Sequence, residues 1–206
     1  KKNKFGKAWM HDHVNDHDVQ EAARRGFRSR AAFKLLEIAD RDQLLKPGMT
    51  VVDLGAAPGG WSQYAARILA GRGRVIAVDI LPMAGLTGVD VLQGDFSEQA
   101  TLDRVVGMLD GARGDLGLSD MAPNTMGIAE VDHARSMHLV DLATDFAAQA
   151  LRPGGDLLLK VFQGREFQPL VARLREDFKT VKLRKPKASR GRSPEVYVLA
   201  RGYRLV

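Results

Sequence analysis

No cysteine occurs among the 206 residues. Disulfide bridges, thiolate zinc sites and a cysteine nucleophile are therefore excluded, and a reducing, cytoplasmic setting is expected. Aromatic residues make up only 6% of the chain, so stacking bases on exposed rings has little material to work with. No apolar run reaches the length of a membrane span and no signal peptide is recognisable, so no membrane association is expected. The His-rich stretch HDHVNDH at 11–17 has neither thiols nor a helical His-x-x-x-His pair, and no metal site is expected. Acids are missing from one segment: residues 178–194 hold seven Lys or Arg and no Asp or Glu.

What is present is ordinary for a globular chain, with 45% hydrophobic and 27% charged residues. The length supports one α/β domain over 1–206 and is short for two. The net charge of +6 is unevenly spread: +4 over residues 1–41, −6 over 42–177 and +7 over 178–194. Basic ends around an acidic middle point to a polyanion held by the ends, nucleic acid rather than a merely solvated surface.

Residues 1–28 read as a basic N-terminal arm, irregular over the first twenty for want of an apolar period. Ser29 reads as an N-cap, and 29–45 as a helix with Ala31, Leu35, Ile38 and Ala39 on one face. Pro47-Gly48 then breaks the chain, and 50–206 alternates strands with helices. Strands are expected at 50–54, 74–79, 89–93, 115–119 and 155–162, and helices near 60–70, at 98–109 and at 133–150. Such alternation implies a mostly parallel, doubly wound sheet with helices on both faces. Two further strand-like runs, 178–184 and 195–201, have no evident helix between them, so the last strand should run antiparallel.

DLGAAPGGW at 53–61 ends the first strand and opens a helix, the place where doubly wound sheets bind ligands. Glycines there let backbone approach a ligand, and the helix start offers free N–H groups. The second strand ends in Asp79, where an acid accepts from the two hydroxyls of an adenosine ribose. The dinucleotide spacing G-x-G-x-x-G is absent, and Asp53 before the turn repels a pyrophosphate but suits a cationic cofactor. S-adenosylmethionine has that charge, and Asp95 in QGDF stands where methyltransferases commonly hold the adenine amino group. The competing reading is a glycine turn that serves only strand–helix packing.

LLLKVFQG at 157–164 puts Lys160 inside a strand that reads as buried. An ammonium deprived of water must give up its proton or be matched by an acid. The fourth strand ends in LSDMAPN, which offers Asp120 but lacks the Asn/Asp-Pro-Pro-aromatic run of amino-methylating enzymes. Pyrimidine C5 methylation needs a cysteine, so an oxygen nucleophile is the better fit. A structural Lys–Asp pair remains the alternative for Lys160, and a turn cap for Asp120. Lys34 reads by itself as a solvated helix lysine paired with Glu37. Glu195, the only acid after Asp177, would serve equally as a partner for Arg192, and Trp61 as a core residue.

RSRAAFKL (28–35), VDLGAAPGGWSQ (52–63), SDMAPN (119–124), LLLKVFQG and SRGRSPEVY (189–197) resemble, in order and over nearly the whole chain, the FtsJ/RrmJ (RlmE) family. That family comprises 23S rRNA 2′-O-ribose methyltransferases. The resemblance implies a Rossmann-like fold and a tetrad of Lys34, Asp120, Lys160 and Glu195. It implies cofactor contacts at Gly59, Trp61, Asp79, Asp95 and Asp120. S-adenosylmethionine would be the methyl donor, and a uridine in the A-loop of 23S rRNA, in the 50S subunit, the acceptor. A monomer is expected. The rival expectations are a 2′-O-methyltransferase of tRNA or an mRNA cap, an assembly factor whose methylation is secondary, and a dehydrogenase. The loop 179–193 would rim the cleft and grip phosphates.

Overall fold

Short runs rich in Val, Ile and Leu pair into one seven-stranded sheet. The computed structural model describes residues 16–124 and 126–204; the start of the expected arm and most of HDHVNDH lie outside them. Helices α1 (His17–Arg24) and α2 (Ala32–Asp42) precede β1 (Thr50–Leu54), α3 (Gly60–Leu69), β2 (Arg74–Asp79) and β3 (Val89–Gln93). Then come α4 (Gln99–Met108), β4 (Gly114–Ser119), α5 (Ala129–Ala150), β5 (Leu151–Phe162), α6 (Phe167–Asp177), β6 (Phe178–Arg184) and β7 (Glu195–Tyr203). The strand order is β3-β2-β1-β4-β5-β7-β6, and β7 runs opposite to the other six strands. A mostly parallel sheet with an antiparallel last strand is what the alternation predicts.

The central strands β1, β4, β5 and β7 bury both faces, so alternate residues join different cores. Val51, Leu116, Leu118, Leu158, Tyr197 and Leu199 face α1, α2 and α3, meeting Ala22, Leu35, Ile38, Trp61 and Ala65. Val52, Leu54, Leu157, Leu159, Val161, Val196 and Val198 face α4, α5 and α6, meeting Leu102, Phe146 and Leu170. Lys160 follows the parity of Leu158 and is directed to the α2 side. A one-residue slip of β5 would drive it into the opposite apolar core, which fixes the register.

Several boundaries differ from the sequence reading. Residues 17–24 are helical rather than irregular: Asp16 caps α1 by accepting from Asp18 N at 2.9 Å, and Arg30 pairs with Asp16 and Asp18 at 3.3 and 3.0 Å. Only Ala22 of this helix is buried, so no apolar period announces it. Ser29 is not the N-cap of α2; Ala31 occupies that place without a side-chain cap. The Ser29 hydroxyl instead lies so close to Gly60 that a Cβ there would collide with it. Helix α6 forms where the sequence reading expects no helix; its Pro169 falls in the first turn, where no N–H is required. β5 begins at Leu151, and the Pro153-Gly154-Gly155 turn signal is an irregularity between Gly114 and Leu116 of β4 in the pairing. Helix α5 starts at Ala129 rather than 133.

The end of α2 is tied to the far strands by Asp42. Arg184 of β6 meets its carboxylate through Nε at 2.8 Å and Nη2 at 2.7 Å, and Arg201 of β7 donates to its carbonyl at 2.7 Å. These guanidinium hydrogen bonds outweigh burial and hold the Asp42 carboxyl below its usual range. The stability it contributes is thus present above the ordinary carboxylate pKa and is lost on further acidification. Asp42→Ala leaves a buried guanidinium unpaired and is expected to cost about 3 kcal/mol in urea denaturation at pH 7. A loss too small to measure would show that α2 is held by packing alone.

Candidate active site

The carboxyl ends of β1, β2, β3 and β4 and the turns that follow them surround a cleft of about 510 Å³. Gly55, Ala57, Asp79, Ile80, Leu81, Asp95, Phe96, Asp120, Met121 and Asn124 are among its lining residues. Gly55 is in the left-handed region (φ 68°) and a Cβ on it would strike Met121, so only glycine turns the chain there. Gly59, also left-handed (φ 114°), is the N-cap of α3. Asp79 is held at both oxygens, accepting from Ala57 N at 2.9 Å and Leu81 N at 2.8 Å. Asp95 accepts from Ser97 N and Oγ at 2.9 and 2.7 Å, hydrogen bonds that hold its carboxyl below the usual range.

Asp53 lies beneath this floor, 1% exposed, and accepts from Ser62 Oγ at 2.7 Å. Burial, opposed by that hydrogen bond but reinforced by the charges of Asp120 and Asp79, pushes its carboxyl up to about 7. Trp61 and Gly59 do not line the cleft. The Trp61 indole is core, donating to Ala31 O at 2.8 Å and packing on Tyr197 at 5.7 Å between ring centroids. A larger hollow of about 670 Å³ lies between the start of α5 and Arg165–Glu166, floored by the His133–Glu166 pair. It shares His138 with the cleft but contains neither Asp79 nor Lys160.

The four tetrad positions come together beside the cleft as two ion pairs. Lys160 Nζ stands 3.2 Å from Asp120 Oδ1, and Lys34 Nζ donates to Glu195 Oε1 at 2.8 Å. Strand parity explains the gathering: Asp120, Lys160, Tyr197 and Glu195 each lie two residues from a strand position facing α2, the helix that supplies Lys34. In the register, Lys160 sits opposite Tyr197 and Phe162 opposite Glu195. Lys34 is not paired with Glu37, which accepts from Lys187 N at 2.8 Å instead. For Glu195, burial would raise the pKa, but hydrogen bonds from Lys34 and Ser189 and the charges of Lys34 and Lys160 lower it below the usual range.

Two residues of this cluster escaped the sequence reading. Tyr197 is fully buried and donates its hydroxyl to Asp120 Oδ1 at 2.6 Å, while Lys34 Nζ stands 5.9 Å from its ring centroid. Burial, with Asp120 nearby, pushes its phenol far above the ordinary range, so it remains a donor. Ser189 donates to Glu195 Oε1 at 2.6 Å. The spacing Glu195-x-Tyr197 was the available signal for the tyrosine, since alternate strand residues share a face. Nothing comparable marks Ser189, which lies in a loop. Chemically, the cluster offers a lysine side chain placed to accept a hydroxyl proton or, as a cation, to stabilise an oxyanion, an acid to orient it, and a second cation held nearby by a carboxylate.

A profile of the FtsJ-like methyltransferase family matches residues 27–203. A protein of Azoarcus sp. (strain BH72) named ribosomal RNA large subunit methyltransferase E is 57% identical over 199 residues, 97% of each chain. One of the same name from Alkalilimnicola ehrlichii is 56% identical over 96% of this chain and 94% of its own. Among solved structures, one described as a ribosomal RNA methyltransferase of Plasmodium falciparum superposes with a TM-score of 0.78 at 27% identity. It covers 86% of this chain and 98% of its own.

Proposed function

The chain belongs to the FtsJ-like methyltransferase family, and from that premise we propose that it methylates the 2′-oxygen of a ribose in large-subunit ribosomal RNA. The acceptor in this reading is a uridine of the 23S A-loop within the 50S subunit, and the donor is S-adenosylmethionine. The observation that carries the reading is the double pair, Lys160–Asp120 and Lys34–Glu195, at the rim of an acidic, glycine-floored cleft.

The cleft fits this cofactor by its chemistry. Ile80, Leu81, Phe96 and Met121 provide apolar walls for a purine, and Asp79, Asp95 and Asp120 face a ligand with hydroxyls and positive charge. Asp79 would hold the ribose hydroxyls and Asp95 the adenine amino group, with the Gly59–Trp61 segment supporting the turn. Bound there, S-adenosylmethionine would supply an electrophilic methyl group. The protein's own work is then to place and activate the hydroxyl. Lys160 takes the 2′-hydroxyl proton as a neutral amine or, as a cation, stabilises the developing oxyanion. Asp120 holds Lys160 in place and is itself fixed by Tyr197. Lys34, steadied by Glu195, adds positive charge on the other side of the acceptor ribose.

The test is to map 2′-O-methyl riboses in 23S rRNA from a deletion strain, then restore the missing mark with the purified protein and S-adenosylmethionine. A single unmethylated uridine in the large-subunit RNA is expected. A missing mark on tRNA alone, or on a base, sinks the reading. Calorimetric binding of NAD without S-adenosylmethionine binding would overturn the proposed donor.

The acid-free loop is the proposed RNA grip. Lys185 is partly committed within the loop, since its Nζ donates to Ser193 O and Glu195 O at 2.8 and 2.5 Å. Lys187 and Arg192 are exposed. Reversing both to Glu is expected to weaken RNA binding about a hundredfold at low salt and to flatten its salt dependence, with cofactor affinity intact. Unchanged RNA affinity in a filter-binding titration would remove the loop from the interface.

A further inference from the structure

The basic loop and the Lys34–Glu195 pair are one connected structure. Residues 185–194 turn twice, with Ser189 N donating to Pro186 O and Ser193 N to Arg190 O, both at 2.9 Å. Pro186, Ala188 and Ser189 are buried, while Lys187, Arg190 and Arg192 are exposed, so small residues nail the loop down and cations point outward. Helix α2 and the turn before it provide the anchors: Arg30 Nη2 donates to Ala188 O at 2.8 Å, and Glu37 accepts from Lys187 N at 2.8 Å. Between those two anchored residues and the exposed Arg190 stands Ser189, 4% exposed, with its hydroxyl on Glu195 Oε1.

That oxygen is the one Lys34 uses. Oε1 receives Lys34 Nζ at 2.8 Å and Ser189 Oγ at 2.6 Å, and the serine donor arrives from the loop while the lysine arrives from α2. A carboxylate oxygen with two donors on it has its plane and rotamer fixed; with one it is free to turn about its last torsion. The position of the Lys34 ammonium depends on that plane. We propose that Ser189 is a positioning residue for methyl transfer, fixing Glu195 so that Lys34 faces the acceptor ribose, and joining the RNA-facing loop to the reacting site. This rests on the function proposed above. Ser189 itself touches neither the cofactor cleft nor Lys160; it acts through Glu195.

The charged groups that face Glu195 and Tyr197 are Lys34 from α2, Lys160 from β5, Asp120 after β4 and Lys185, whose Nζ lies on the Glu195 carbonyl. None of these is altered by Ser189→Ala, which removes one hydrogen bond that favours the ionised carboxyl. The full chain is compared as wild type, Ser189→Ala and Ser189→Thr. Two readouts are used: steady-state methylation of the RNA, and titration of the Glu195 side-chain carboxyl by carbon NMR. The alanine variant is expected to lower kcat about tenfold, with KM for RNA and cofactor affinity unchanged. Its Glu195 should titrate at higher pH than in wild type, and the acid limb of the rate profile should move the same way. Threonine keeps the hydroxyl and should restore both.

Wild-type kcat and an unmoved carboxyl titration in Ser189→Ala would overturn the proposal. So would a loss that threonine fails to restore together with a lowered Tm, which is the mark of packing. If the wild-type protein methylates no RNA, the proposed function falls; the titration still decides Ser189, and an unchanged carboxyl there overturns its role as well.

Discussion

Lys160→Met is expected to lower kcat about a thousandfold, within the range that proton transfer and oxyanion stabilisation contribute, while S-adenosylmethionine still binds. Methionine matches the length and apolar stem of lysine, and the Lys160 side chain is only 9% exposed, so the strand should accept it. Asp120 keeps the Tyr197 hydroxyl as donor at 2.6 Å and is not stranded. Asp79 and Asp95, at the other end of the cleft, are untouched, so calorimetric affinity for the cofactor should stay within about threefold, a change worth under 1 kcal/mol. Residual activity within tenfold of wild type would remove Lys160 from the chemistry. Lys160→Arg then separates its two possible roles. A guanidinium remains a cation but cannot serve as a neutral base, so retained activity assigns oxyanion stabilisation and its loss assigns proton removal.

Asp53→Asn should change the pH dependence of stability more than any other substitution at the site. The Asp53 carboxyl titrates at about 7 in the fold against a usual 3.8, chiefly because it is buried. A folded-state pKa above the unfolded value means that the native protein binds the proton more tightly. The stabilisation is therefore fully present below about 3.8 and is lost as pH rises through about 7. At 1.36 kcal/mol per pKa unit, the whole swing is about 4 kcal/mol. Asparagine cannot ionise, and its oxygen can still accept from Ser62. In urea denaturation the variant should gain on wild type by about 4 kcal/mol between pH 4 and pH 8. Comparing the two proteins cancels groups such as Asp42, whose contribution runs the opposite way. A difference that stays constant with pH would show that Asp53 remains ionised in the fold.

Strand–helix alternation placed most of the sheet, and the glycine turn with its downstream acids placed the cleft, because both signals are local. Parity along a strand is local too. From Leu158 to Lys160, and from Glu195 to Tyr197, it already determines which side chains share a face. The helices that failed to show themselves lack such signals. Helix α1 is held by ion pairs to Arg30 with only Ala22 buried, and α6 carries a proline in its first turn. Ser29 looked like a cap because caps are recognised by residue type, whereas close packing against Gly60 is a tertiary contact.

By itself, then, the sequence determined that a lysine would stand at the end of a buried strand, on a known face, near acids that follow neighbouring strands. Periodicity and burial are enough for that. It could not say that α2 would cover this face and bring Lys34 to Glu195, 161 positions away in the chain. Nor could it show Tyr197 fixing Asp120, or Ser189 reaching Glu195 from a loop. Those pairings depend on β7 entering between β5 and β6. Only the folded sheet places that strand, because hydrogen-bond order across a sheet is settled by global packing and not by any single segment.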